Sequence, residues 1–203
     1  MTKEELAREI AKGLVNTGVE GGFNAVSCST AGDYPSIGCS QWEGGRAESL
    51  LSSIPGGDYY TGRTYSDIEA AGELDSLAQL LDSPEGQEAQ IALLAEDTAT
   101  YVDTLQEVET LDDSRCTIYA GIWCPTSHYI VSRFLQRRQD RGYDLRSLAT
   151  VRDLFHEQYA SAASCGEYAV GYANRADNTF DYVTGLDLSA YGVPVYEENA
   201  KAE

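Results

Sequence analysis

A chain of 203 residues, 42% of them apolar, can build one domain with a proper core. Its net charge of −19 excludes a nucleic-acid partner, which wants clustered Lys and Arg to displace counterions, and works against electrostatic attachment to an anionic surface. No apolar run approaches the roughly 20 residues that cross a bilayer. The acidic start Met1-Thr2-Lys3-Glu4-Glu5 also lacks a signal peptide's apolar stretch. The expectation is a product made in the cytoplasm, without membrane insertion, that acts outside only after release or delivery.

Thr2 and Glu5 form a capping-box signal for a first helix, with Leu6, Ile10 and Leu14 repeating every four residues and Ala7, Ala11 and Val15 widening the stripe. Gly18 should weaken that helix, so Glu20 falls at or just past its end. Residues 21–45 are punctuated by glycine and rich in Ser, Thr and Tyr; the turn chemistry of Ala31-Gly32-Asp33-Tyr34-Pro35 predicts a small β-hairpin returning through Ser36-Ile37-Gly38. A helix is expected over Arg46–Ile54, with Ala47, Leu50, Leu51 and Ile54 on one face. Another carries Leu74, Leu77, Ala78 and Leu81. Ser83-Pro84 caps the next, whose stripe from Ile91 to Val108 makes it the longest and the expected centre of the core. A shorter segment opens at Asp112-Asp113-Ser114 and ends near Pro125. Two further helices follow over Ser127–Gln139 and Ser147–Ala163. From Cys165 the chain is rich in Tyr and Gly and is expected to pack back over the core, with disorder only after Tyr196.

Five cysteines cannot all pair internally. Cys28 and Cys39 flank the hairpin and could face each other; buried free thiols suit a cytoplasmic product better. Cys116, Cys124 and His128 lack the tight pairs of a zinc site, so no metal and no cofactor is expected. Arg133, Arg137, Arg138 and Arg141 read as a solvated helix face.

The stretch that carries chemistry is Val19-Glu20-Gly21-Gly22-Phe23, followed by Ser36-Ile37-Gly38-Cys39-Ser40-Gln41-Trp42-Glu43-Gly44-Gly45-Arg46-Ala47. A carboxylate at a helix end, then a hairpin, then Ser-Ile-Gly, then Gln and an aromatic, resembles the lysozyme-like superfamily. The likeness is to muramidase domains of phage endolysins and tail proteins with a SIG-x-x-QW-x-x-x-RA pattern, within residues 19–47. Gly21 stands where many members have Ser. The resemblance implies a single α+β, mainly α domain over residues 1–203, with a hairpin region at about 21–45 beside a helical lobe at about 46–196. It implies an N-acetylmuramidase that cleaves the MurNAc–GlcNAc bond of peptidoglycan glycan strands, as an endolysin or a virion-associated lysin.

In that reading Glu20 is the acid that protonates the leaving oxygen. A helix C-terminus disfavours its charged form, and packing on Phe23 or Trp42 would desolvate it, so it is expected to hold its proton near neutral pH. Asp33 is placed to activate water or stabilise an oxocarbenium-like centre, and Ser36 to position that water. Asp33 reads equally as an ordinary turn residue. Gln41 and Trp42 would hold sugar, although Trp42 also reads as core. Tyr172, Asn174 and Tyr182, with Arg175 between, would return to the cleft as a late Tyr does in lytic transglycosylases. The alternatives are lytic transglycosylation by the same acid, a chitosanase-like glycosidase, and a wall-binding protein that keeps the fold without catalysis.

Overall fold

The computed structural model describes residues 1–161 and 163–197. In chain order the elements are α1 (Lys3–Asn16), β1 (Val26–Cys28), β2 (Pro35–Ile37), α2 (Gly44–Ser53), α3 (Tyr65–Ala70), α4 (Leu74–Asp82), α5 (Pro84–Leu105), α6 (Ser114–Ile122), α7 (His128–Gln139), α8 (Leu148–His156) and α9 (Ala169–Thr184). The described residues are thus mainly helical, with one two-stranded antiparallel sheet, an α+β arrangement. They pack as two compact units, Gly18–Glu96 and Met1–Thr17 with the described residues from Asp97 on. The hairpin therefore shares its unit with α2, α3, α4 and the first part of α5.

In the hairpin unit, Val26 pairs with Ile37, Ser27 with Ser36 and Cys28 with Pro35. The whole of β2 is buried and lies against α2, while β1 meets α4. Beyond the sheet, Ile37 and Trp42 exchange backbone hydrogen bonds of 3.0 and 2.8 Å, closing a tight loop over residues 38–41. Gln90 of α5 staples that loop to the helices. Fully buried, it accepts the Cys39 N–H at 2.9 Å and donates to the carbonyls of Leu81 and Phe23 at 2.8 and 3.2 Å. Gly57, in the turn after α2, has no room for a side chain, because a Cβ there would sit 2.1 Å from the Leu51 carbonyl oxygen.

In the other unit α1 starts on the expected capping box, Thr2 and Glu5 exchanging side-chain bonds with each other's backbone. The centre of this unit is α6, not the longest helix. Every residue from Arg115 to Ile122 is buried, because α6 meets α1, α8 and α9. Two glycines set the α1–α6 crossing reciprocally. A Cβ on Gly13 would meet Ile122 Cδ1 at 2.4 Å, and one on Gly121 would meet Ile10 Cδ1 at 2.3 Å. The Tyr- and Gly-rich segment does pack onto this core, as the 16-residue helix α9. Arg115 ties the chain beyond it down, donating to the carbonyls of Val183, Leu186 and Pro194.

The basic face of α7 is only partly solvated. Arg133, Arg137 and Arg141 are exposed, but Arg138 is buried over the Phe134 ring and 3.3 Å from Glu157. Among the described residues no helix is long and apolar enough to cross a membrane. Of the residues after Tyr196, where disorder is expected, Glu197 is exposed and outside any helix or strand, and residues 198–203 lie outside the described residues, as does the side chain of Cys165.

Candidate functional site

After α1 the chain turns through Gly18, whose φ of +73° is left-handed and easiest for glycine. Glu20 follows, half-buried, and its Oε2 accepts the Ser40 hydroxyl at 2.9 Å. The neighbouring backbone is tied to the same loop, the Gly21 N–H donating to the Cys39 carbonyl at 2.8 Å. A Cβ on Gly21 would lie 3.1 Å from that oxygen, so a larger residue would have to push the loop away. The two halves of the sequence motif, Glu-Gly-Gly and Ser-Ile-Gly-Cys-Ser, thus meet in space. The Cys39 thiol registers the meeting: its pKa is pushed up to about 11, first by burial and then by the negative charge of Glu20.

The loop owes its shape to three residues. Gly38 has φ +74°, and a Cβ there would run into Gln90 Oε1 at 2.6 Å and Trp42 Cζ3 at 3.1 Å, so the glycine of Ser-Ile-Gly is a packing requirement. Ser36 is 4% exposed and donates its hydroxyl to the Gln41 carbonyl at 3.0 Å. Gln41 is the one non-glycine residue with positive φ among the described residues, at +52°. That conformation carries a cost for a side chain with a Cβ. Its amide offsets the cost, accepting from Ser27 Oγ at 2.7 Å and donating to the Gly38 carbonyl at 3.1 Å, so Gln41 clamps the hairpin. Trp42 is 7% exposed, with its ring over Gly38, and serves the core.

Asp33 is exposed at the hairpin turn, and its Oδ1 accepts both the backbone N–H and the hydroxyl of Ser66 at 2.9 and 3.0 Å. These bonds fasten the turn to the first turn of α3, where backbone N–H groups have no partner inside the helix. A cavity of about 160 Å³ opens beside Asp33 between the hairpin turn, α2 and residues 60–64; Glu20 is not among its lining residues. Glu20 and Asp33 are therefore held by separate partners, Ser40 and Ser66.

The later candidates belong to the other unit. Tyr172 and Tyr182 both lie on α9, but ten residues of helix put them ~15 Å apart along its axis. Tyr172 joins an aromatic cluster with Trp123 and Tyr159. Tyr182 is half-buried beside Gly13, its hydroxyl pushed up to about 12 by burial and by Glu9. Asn174 is exposed, and Arg175 lies over the Trp123 ring and donates to the Ile122 carbonyl at the end of α6.

The described cysteines are free thiols. Cys28 is exposed and faces Pro35 across the hairpin, whereas Cys39, Cys116 and Cys124 are buried. Among the described residues no group of His, Cys, Asp and Glu is arranged to hold a metal ion.

Two residues that build the site escape sequence reading. Ser40 occupies a variable position of the motif. Gln90 had a usable signal, as a polar residue four before Leu94 on an otherwise apolar stripe. No protein-family model, curated protein or solved structure matches the chain.

Proposed function

We propose that the chain is a lysozyme-like enzyme that cleaves the MurNAc–GlcNAc bond of peptidoglycan, with Glu20 as general acid. The observation that carries this reading is the docking of the Ser-Ile-Gly-Cys-Ser loop on Glu20, through Ser40 Oγ and the Gly21–Cys39 backbone bond. As general acid the Glu20 carboxyl carries a proton on one of its oxygens. That proton goes to the glycosidic oxygen as the bond to the anomeric carbon breaks.

What completes the reaction separates two readings. In hydrolysis a second group must manage water, a role for Asp33 and Ser36. Both are engaged elsewhere in this structure, Asp33 with Ser66 and Ser36 with the Gln41 carbonyl. That engagement favours a second reading, lytic transglycosylation, in which the sugar's own 6-hydroxyl attacks and a 1,6-anhydro end forms. Glu20→Gln is the test of the shared step. Wild type should solubilise purified cell walls and the variant should lose at least about a hundredfold in rate, the scale of one general acid. Equal lysis by both would remove Glu20 from the chemistry.

A further inference from the structure

The cavity beside Asp33 holds a charge imbalance that the fold leaves standing. The buried part of its lining is largely apolar, made by Pro35, Ala47, Leu51 and Tyr60, whereas the exposed part carries two carboxylates, Asp33 and Glu48. Asp33 commits Oδ1 to the N–H and hydroxyl of Ser66, which are uncharged donors. Among the described residues neither carboxylate is in an ion pair. Arg63 also lines the cavity, but its charge is drawn off by a residue outside the lining. Its guanidinium bonds Glu73, which accepts the Tyr59 hydroxyl at 2.8 Å as well, and the Tyr59 ring lies 4.9 Å from the same guanidinium.

From this arrangement we infer that the cavity binds a primary ammonium group on a short alkyl chain, the chemistry shared by a lysine side chain and a free diamine, with the chain on the apolar lining and the ammonium on Asp33 and Glu48.

Size, polarity and charge select that ligand. At ~30 Å³ for a water-sized group, about 160 Å³ holds roughly five of them, the carbons and terminal nitrogen of a lysine side chain. Carboxylate oxygens accept N–H hydrogen bonds, and those between ionised partners are the strong ones. A primary ammonium therefore gains more here than a quaternary one, which has no N–H to donate. Among the described residues no group of His, Cys, Asp and Glu is arranged to hold a metal ion, so the two carboxylates do not form a metal site instead. The site stands apart from the glycan-cleaving reading, since Glu20 does not line the cavity.

The test is an NMR titration of the full chain with Nα-acetyl-lysine methylamide and with cadaverine, read at the backbone amides of Gly44 and Gly62 in the lining. Both amines should shift these amides saturably, and the tighter one names the source of the ammonium. Nα-acetyl-norleucine methylamide, which keeps an alkyl chain without the charge, and tetramethylammonium should bind at least about tenfold more weakly. Asp33→Asn combined with Glu48→Gln should weaken both amines about tenfold or more, while the Asn oxygen can still accept from Ser66. Glu73→Gln should weaken them too, because a released Arg63 can neutralise the carboxylates, although Glu73 does not line the cavity. Spectra unchanged away from the cavity confirm that each variant folds. No saturable shift with either amine, equal binding of the norleucine derivative or tetramethylammonium, or unchanged affinity in the double variant or in Glu73→Gln would overturn the inference.

Discussion

Replacing Glu20 by Gln removes a negative charge beside Cys39, and that thiol reports the change without any substrate. Burial and the Glu20 carboxylate push that thiol up, to about 11, against hydrogen bonds from Ser40 that pull it down, and of the two raising effects only the second is lost. The charge of Glu20 disfavours the thiolate, so its removal must lower the pKa of Cys39. In a Cys28→Ser, Cys165→Ser background, maleimide labelling of Cys39 at pH 8 to 9 should be faster in Glu20→Gln than in the parent. An unchanged rate would separate the two side chains. Asp33 separates the two chemical readings. If its carboxylate only fastens α3, Asp33→Ala should cost about 1 kcal/mol in denaturant unfolding, the scale of a lost helix-terminus bond, and leave wall lysis intact. Lost lysis at unchanged stability would restore Asp33 to the chemistry.

Five of the helices read in advance announce themselves through caps, whereas α2 and α4 are uncapped and legible by apolar spacing alone. Thr2, Ser83, Asp113, Ser127 and Ser147 each accept a backbone N–H at a helix start, and all five are visible as Ser, Thr or Asp before an apolar stripe. Helix α3 is capped as well, Thr64 accepting the Asp67 N–H at 3.0 Å, but neither it nor the uncapped α9 has a readable apolar stripe behind its start. Six residues are too few for α3 to show a period, and the buried stripe of α9 is Ala176, Thr179 and Val183, small or polar residues among tyrosines. Nor could periodicity reveal that the nine-residue α6 is more central than α5, since its depth comes from glycine notches. There Gly121→Ala would drive a methyl into Ile10, and Gly13→Ala into Ile122. Each should destabilise the fold by about 1–3 kcal/mol, the usual cost of overpacking, as measured by thermal or denaturant unfolding. A neutral result at both would mean the crossing is looser than its geometry states. The candidate site was legible at Glu20 and the Ser-Ile-Gly loop. The partner of Glu20 was hidden, because Ser40 is defined by the fold of a loop rather than by spacing.

At the scale of the whole molecule, the division into two units left no mark in the sequence, because the boundary at Glu96 and Asp97 falls inside the continuous helix α5. The charge of −19, by contrast, is read directly from composition and has a kinetic consequence. Under the proposed wall-cleaving function, repulsion from an anionic wall would slow encounter at low ionic strength and be screened as the Debye length shrinks to ~8 Å near 0.15 M salt. Wall lysis should therefore speed up as salt rises from about 0.01 M to that range. A steady fall over the same range would point instead to attachment through a cationic patch. The central claim, that Glu20 protonates a glycosidic bond, is tested most directly by mass spectrometry of what wild type and Glu20→Gln release from purified peptidoglycan. The expected result is disaccharide-containing fragments from wild type, with reducing or 1,6-anhydro muramic ends one water apart, and none above background from the variant. Fragments cut only in the peptide stems, or the same glycan fragments from both proteins, would contradict it.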